Sequence, residues 1–153
     1  MSQFLSGKAT RQLALGKKVD RATATLPQST AAAIFNILGG RVLVTQIVGE
    51  VTVAIQNQLN NTKLTANPTA GTSVDMCAVL DIANDEVGCL YGPTGTPADA
   101  LIGTNAGLTP GMAKGQILNV GTIDLSCSAS NTGSVKWTIS YIPIDDGASI
   151  EAA

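Results

Sequence analysis

The sequence predicts an all-β fold, an antiparallel β-sandwich or jelly-roll-like barrel with an extended N-terminal arm. Residues 39–55 open on Gly39-Gly40 and run through Val42, Val44, Ile47, Val48, Val51, Val53 and Ile55. Such a density of side chains branched at Cβ suits a pleated surface and is mildly unfavourable in a helix. Residues 120–127 and 135–141 alternate apolar with polar side chains at period two, the signature of a half-buried strand. No apolar stripe at helical spacing competes with these stretches, and no internal repeat of fixed period is visible. With 153 residues the chain has the length of one domain with a core of its own.

Taken in order, residues 1–21 form a leader distinct from the rest. They hold Lys8, Arg11, Lys17, Lys18 and Arg21 against Asp20 alone, a net charge of +4, while the remainder of the chain carries −6. A basic leader on an acidic body is the pattern of a tail that docks elsewhere, and the plainer alternative is a frayed, solvated terminus. Its large apolar residues, Phe4, Leu5, Leu13, Leu15 and Val19, read either as anchors for grooves of a partner or as one short amphipathic turn. Lys8, Thr10, Arg11 and Gln12 interrupt any apolar run, so the leader does not match a secretory signal, and the expected compartment is a cytoplasm.

The body is expected over residues 22–147. Residues 22–26 are extended up to Pro27. Residues 31–38 read as a strand entering a hairpin at Gly39-Gly40, although Ala31-Ala32-Ala33 has the propensity to seed a helix. The run over 39–55 exceeds an average strand, and Gly49-Glu50, a bulge or a bend, divides it into two arms. Residues 56–62 are turn-like, Lys63 to Ala66 resume the sheet, and residues 72–82 form a further strand. Residues 88–115, punctuated by Gly92-Pro93, Gly95, Pro97, Gly103, Gly107 and Pro110-Gly111, make a loose rim with short strands near Leu90-Tyr91 and Leu101-Ile102. In the last third, pairing Cys127 with Val135 sets Leu125 opposite Trp137 and Ile123 opposite Ile139, which predicts a hairpin joined by the turn residues 128–134. The expected core is Val42, Val44, Ile47, Val51, Ile123, Leu125, Val135, Trp137 and Ile139. Pro143 closes the last strand, and residues 148–153 are a C-terminal tail beyond Asp145-Asp146.

Composition narrows the function. Aromatic residues are 3% and charged residues 13%, so the core is aliphatic and much of the surface is either Thr, Ser, Asn and Ala or covered by an assembly. The chain has no histidine, which removes His-based triads and the commonest zinc ligand. Cys77, Cys89 and Cys127 form no Cys-x-x-Cys pair and read as buried structural thiols, with neither a zinc site nor a disulfide framework. Asp81, Asp85 and Glu86, and the Asp145-Asp146 pair, read as solvated loop charge and match no calcium loop. Asn60-Asn61-Thr62 fits a glycosylation acceptor by pattern alone. No catalytic residue, cofactor, metal, nucleic-acid partner or membrane partner is expected. The candidate functional residues are those of the arm: Phe4, Leu5, Lys8, Arg11, Leu13, Leu15, Lys17, Lys18 and Arg21.

Across Leu26-Pro27-Gln28-Ser29-Thr30, residues 39–52, Gly121-Thr122-Ile123-Asp124-Leu125 and Ser130 to Trp137, the chain resembles small head-region structural proteins of tailed bacteriophages and prophages. The resemblance covers most of residues 22–147 and leaves the arm outside. It implies a virion component, a decoration or cement protein on the outer surface of an icosahedral head, made in the host bacterial cytoplasm. It also implies the major capsid protein as partner and self-association, as a trimer by analogy. Two other readings remain at this point: a tail or head-fibre component, and a carbohydrate- or cell-surface-binding β-sandwich using residues 88–115.

Overall fold

The computed structural model describes residues 4–107 and 112–153. Met1 to Gln3 of the arm and the Pro110-Gly111 turn of the loose segment lie outside them. The elements are α1 (Gly7–Leu15), β1 (Lys17–Thr25), β2 (Ala31–Leu38), β3 (Val42–Val53), β4 (Asn61–Pro68), β5 (Val74–Asp75) and β6 (Leu80–Asp81). They continue with β7 (Leu90–Gly92), β8 (Ile102–Thr104), β9 (Gln116–Leu118), β10 (Gly121–Cys127), β11 (Ser134–Pro143) and β12 (Ser149–Ala152). Two six-stranded antiparallel sheets pack face to face as an open sandwich, with no closed barrel. One has the order β1-β11-β3-β7-β8 with β9 also on β3; the other has β12-β2-β10-β4-β5 with β6 also on β4.

Strand β3 is the central strand of the first sheet, paired along its length with β11 and at its two ends with β9 and β7. It is continuous through Gly49-Glu50, so the expected division there is corrected. The irregularities fall at Thr45 and Thr52, each an extra residue against β11. The bulge at Thr45 reverses the inward parity: Val42 and Val44 point to the core before it, Ile47, Gly49 and Val51 after it. Gly49 is required by packing. It faces Trp137 across the register, and a Cβ there would sit 2.8 Å from the indole Cζ3. Trp137 is 1% exposed and its ring lies 6.4 Å from that of Tyr91, centroid to centroid. All nine residues of the expected core are buried, together with Ile34, Phe35, Ile37 and Leu64 from the second sheet.

The expected hairpin of residues 120–127 with 135–141 is also corrected. Strand β10 pairs with β2 and β4 in the second sheet, whereas β11 pairs with β1 and β3 in the first. Their apolar faces do coincide, but across the interior of the sandwich. The connecting residues form an arch whose backbone groups bond elsewhere, as in Leu26 N–H to Gly133 O and Gln56 N–H to Thr132 O. Buried Asn60 and Asn131 secure that arch. Asn60 Oδ1 accepts from the N–H groups of Ser128 and Ala129, and Asn131 Nδ2 donates to Gln58 O at 2.7 Å. Gly39-Gly40 is likewise a crossing from β2 to β3 in opposite sheets, not a hairpin turn.

Four boundaries move. Residues 148–153 are no tail: β12 pairs with β2, its Ile150 is buried, and so is Ala148 just before it. The body begins at Lys17, because residues 17–21 belong to β1 on the edge of the first sheet. Strand β4 starts at Asn61, inside the expected turn, and the expected strand over 72–82 is reduced to β5 and β6, separated by bends. The rim over 88–115 does contain short strands at β7 and β8. An isolated parallel bridge, Ala78 to Ala100, lies outside the named strands and ties the 72–82 segment to this rim.

Candidate functional site

The residues that precede the sandwich are the part of the chain least absorbed by it. Ser6 caps α1, accepting the Ala9 N–H on its Oγ at 3.1 Å, and the Gly16 N–H closes the other end on Gln12 O at 3.0 Å. Between the caps stand Ala9, Arg11, Gln12, Leu13, Ala14 and Leu15, good helix formers. The arm is therefore a capped helix and not extended as expected. The signal was present as Ser6 and Gly16 bracketing that run. A nine-residue helix with Lys8 in its first turn is marginal on its own, and none of its residues is buried.

Two features hold α1 beside the first sheet. Thr45, the bulged residue of β3, donates its hydroxyl to Leu15 O at 2.5 Å. Gly16 turns the chain from helix into β1 at φ 88° and ψ −150°, a region essentially restricted to glycine, with its Cα so close to Tyr141 O that a Cβ has no space. The elbow is thus fixed while the helix projects. Phe4 is 92% exposed, Leu5 63% and Leu13 75%, and Leu15 is half-buried at the elbow.

The five cations separate into three environments. Arg21 is half-buried on the inward side of β1, opposite Trp137 in register. Its Nε donates to Ala153 O at 3.3 Å, where β1 approaches β12. Burial lowers its pKa, and it serves the seam of the sandwich instead of an arm. Lys18 is paired with Asp20 at 2.9 Å. Asp20 is held below the usual carboxylate range by that bond and by the Thr138 hydroxyl, against an opposing desolvation. Lys8, Arg11 and Lys17 have no carboxylate within ion-pair distance among the described residues. With Lys18 they line a notch of about 340 Å³ between α1 and β1, whose lining also includes Gln12, Val19 and Tyr141. The Arg11 Nε is buried without a partner.

On the outer face of the first sheet an apolar row lies beside this notch. Ile142 of β11 stands opposite Leu43 of β3, which stands opposite Ile117 of β9. Ile142 and Ile117 are exposed and Leu43 half-buried. Ile142 also flanks Gly16, so the row begins at the elbow of the arm. The sequence alone assigns no face to these three residues, and the row exists only because three strands place them in line.

Elsewhere the chemistry is structural. Cys77, Cys89 and Cys127 are buried and free, and desolvation raises each thiol pKa, that of Cys89 to about 11. Asp85 accepts from the Tyr91 hydroxyl at 2.5 Å and is raised, chiefly by burial. Asp145 binds the Arg41 backbone N–H and its guanidinium at 2.8–2.9 Å, which lowers its pKa to about 2 and ties the β2–β3 crossing to the end of β11. Asn60 is fully buried, so the acceptor pattern there is closed to glycosylation in the folded chain. An apolar cleft of about 350 Å³ between Ile37, Pro68, Val74, Met76 and Ile117 contains one carboxylate, Asp75, already paired with Lys63 at 2.7 Å. No cluster of three metal-ligating side chains occurs among the described residues, and none of their helices is long and apolar enough to cross a membrane. Tyr91, the aromatic of the 88–115 rim, is buried and offers no stacking platform to a sugar.

No family model matches the chain, and neither the curated proteins nor the solved structures compared with it yield a match.

Proposed function

We propose that this chain is a structural protein of a tailed-phage virion, a decoration or cement protein that binds the outer surface of the head and bridges neighbouring capsid subunits through its N-terminal arm. One observation carries the reading: a short capped helix fixed at its elbow to the sandwich, with the residues just before it, displays Phe4, Leu5 and Leu13 to solvent on the segment that also holds Lys8 and Arg11, which have no ion-pair partner among the described residues. Exposed apolar groups of that size gathered on one short segment mark an interaction site. Burying the three side chains yields on the order of 5–9 kcal/mol gross, reduced by the freedom lost on association. Self-association as a trimer at a three-fold position multiplies such a modest contact by avidity. The role requires stiffness and adhesion and no reaction.

Removal of residues 1–15 tests it. Because β1 starts at Lys17, this truncation leaves both sheets whole, and the expected result is a folded body by circular dichroism that no longer cosediments with purified heads. Full-strength binding by the truncated chain overturns the role of the arm. Imaging of particles tests the location, with density for α1 expected across a boundary between capsid subunits.

A further inference from the structure

We infer that the notch between α1 and β1, with the apolar row beside it, is a receptor for a carboxylate-bearing segment of a partner protein, with Glu or Asp side chains entering between Lys8, Arg11 and Lys17. The inference names the chemistry of the partner and rests on the reading of the arm as a docking element. Three facts select the ligand class. The notch gathers four cations, of which only Lys18 has a carboxylate partner, and its volume of about 340 Å³ admits one or two carboxylate side chains. Among the described residues Arg11 makes no ion pair and its Nε no hydrogen bond, so its charge is left for a bound carboxylate to neutralise. Finally, Ile142, Leu43 and Ile117 form an aliphatic row that starts against Gly16, the elbow next to the notch, which suits a peptide mixing acidic with apolar residues. A nucleic-acid backbone is disfavoured: the rest of the chain carries −6 and repels a polyanion beyond the notch, and both tyrosines and the tryptophan are buried, leaving Phe4 as the one exposed aromatic among the described residues.

Fluorescence anisotropy of the full chain with a labelled twelve-residue peptide alternating Glu and Leu measures the site without any capsid. The expected result is saturable binding that weakens as salt rises, and weakens about tenfold or more in Arg11→Gln and in Lys17→Gln. The exposed Lys17 provides a variant that leaves packing intact, and Lys136→Gln, paired with Glu50 at the far end of the same face, is expected to bind as the parent does. Ile117→Thr with Ile142→Thr should weaken this peptide while leaving an all-Glu peptide unchanged. Absence of saturable binding overturns the inference. So does tighter binding of an oligothymidylate, which makes the notch a nucleic-acid site. Full competition by inorganic phosphate at low millimolar concentration reduces it to a simple anion site and also overturns it. Self-association of the unliganded chain that Arg11→Gln abolishes assigns the notch to a second copy, again against the inference. Peptide binding without head binding would refute the virion role alone, and head binding without peptide binding would refute the receptor alone.

Discussion

Replacing Gly49 by alanine probes the contact on which the first sheet is built. A Cβ at that position would lie 2.8, 2.9 and 3.0 Å from Cζ3, Cη2 and Cε3 of Trp137. Carbon atoms pack at roughly 3.5–4.0 Å, so the ring would have to withdraw by the better part of an ångström. It has little room to do so, being 1% exposed and packed near Tyr91. Overpacking of this kind costs about 1–3 kcal/mol, and in a domain of this size the melting temperature falls by about 2–4 °C for each of them. The expected loss is therefore about 2–12 °C, read by far-ultraviolet circular dichroism and checked by the urea midpoint. Trp137→Phe removes the three ring atoms concerned, so Gly49→Ala should be less harmful in that background, with a coupling of about 0.5–3 kcal/mol. An unchanged melting temperature in Gly49→Ala, or the same loss in both backgrounds, would refute the claim that Gly49 exists to seat the indole.

Two further outcomes follow from charge and burial. Asp145, lowered from 3.8 to about 2 by Arg41, contributes stability that is present above pH 3.8 and is lost as pH falls through 2; Asp145→Asn should flatten the stability profile in that window, and a carboxyl titration by NMR near the ordinary value would contradict it. The thiols of Cys77, Cys89 and Cys127 should ignore a thiol reagent at pH 8 in the native chain and all react in denaturant, since burial and raised pKa values leave almost no thiolate; rapid native labelling of any of them would show the core to be open.

Some of this architecture is legible in residues alone because the physics behind it is local. The capping of α1 by Ser6 and Gly16 is equally local, and the helix propensity of Ala9 to Leu15 stands in the same residues whose charge suggests an extended arm. Arg21 shows the opposite limit. Its place in a run of cations made it look like a docking residue, and only the position of β1 against β12 reveals a side chain that seals the edge of the sandwich.

By itself the sequence determined which side chains face inward. Alternation along β10 and β11 and branching along β3 placed Val42, Val44, Ile47, Val51, Ile123, Leu125, Val135, Trp137 and Ile139 in the core, and all are buried. The partners of each strand were decided by the tertiary structure. A period of two is the same whether two strands are neighbours in one sheet or face one another across the interior, so β10 and β11 satisfied a hairpin register that the chain does not use. That choice rests on groups distant in sequence, such as Asn60 and Asn131 bonding the arch between them and Arg41 reaching Asp145. The apolar row on the first sheet is of the same kind: Ile142, Leu43 and Ile117 become one surface because three strands from distant parts of the chain lie side by side.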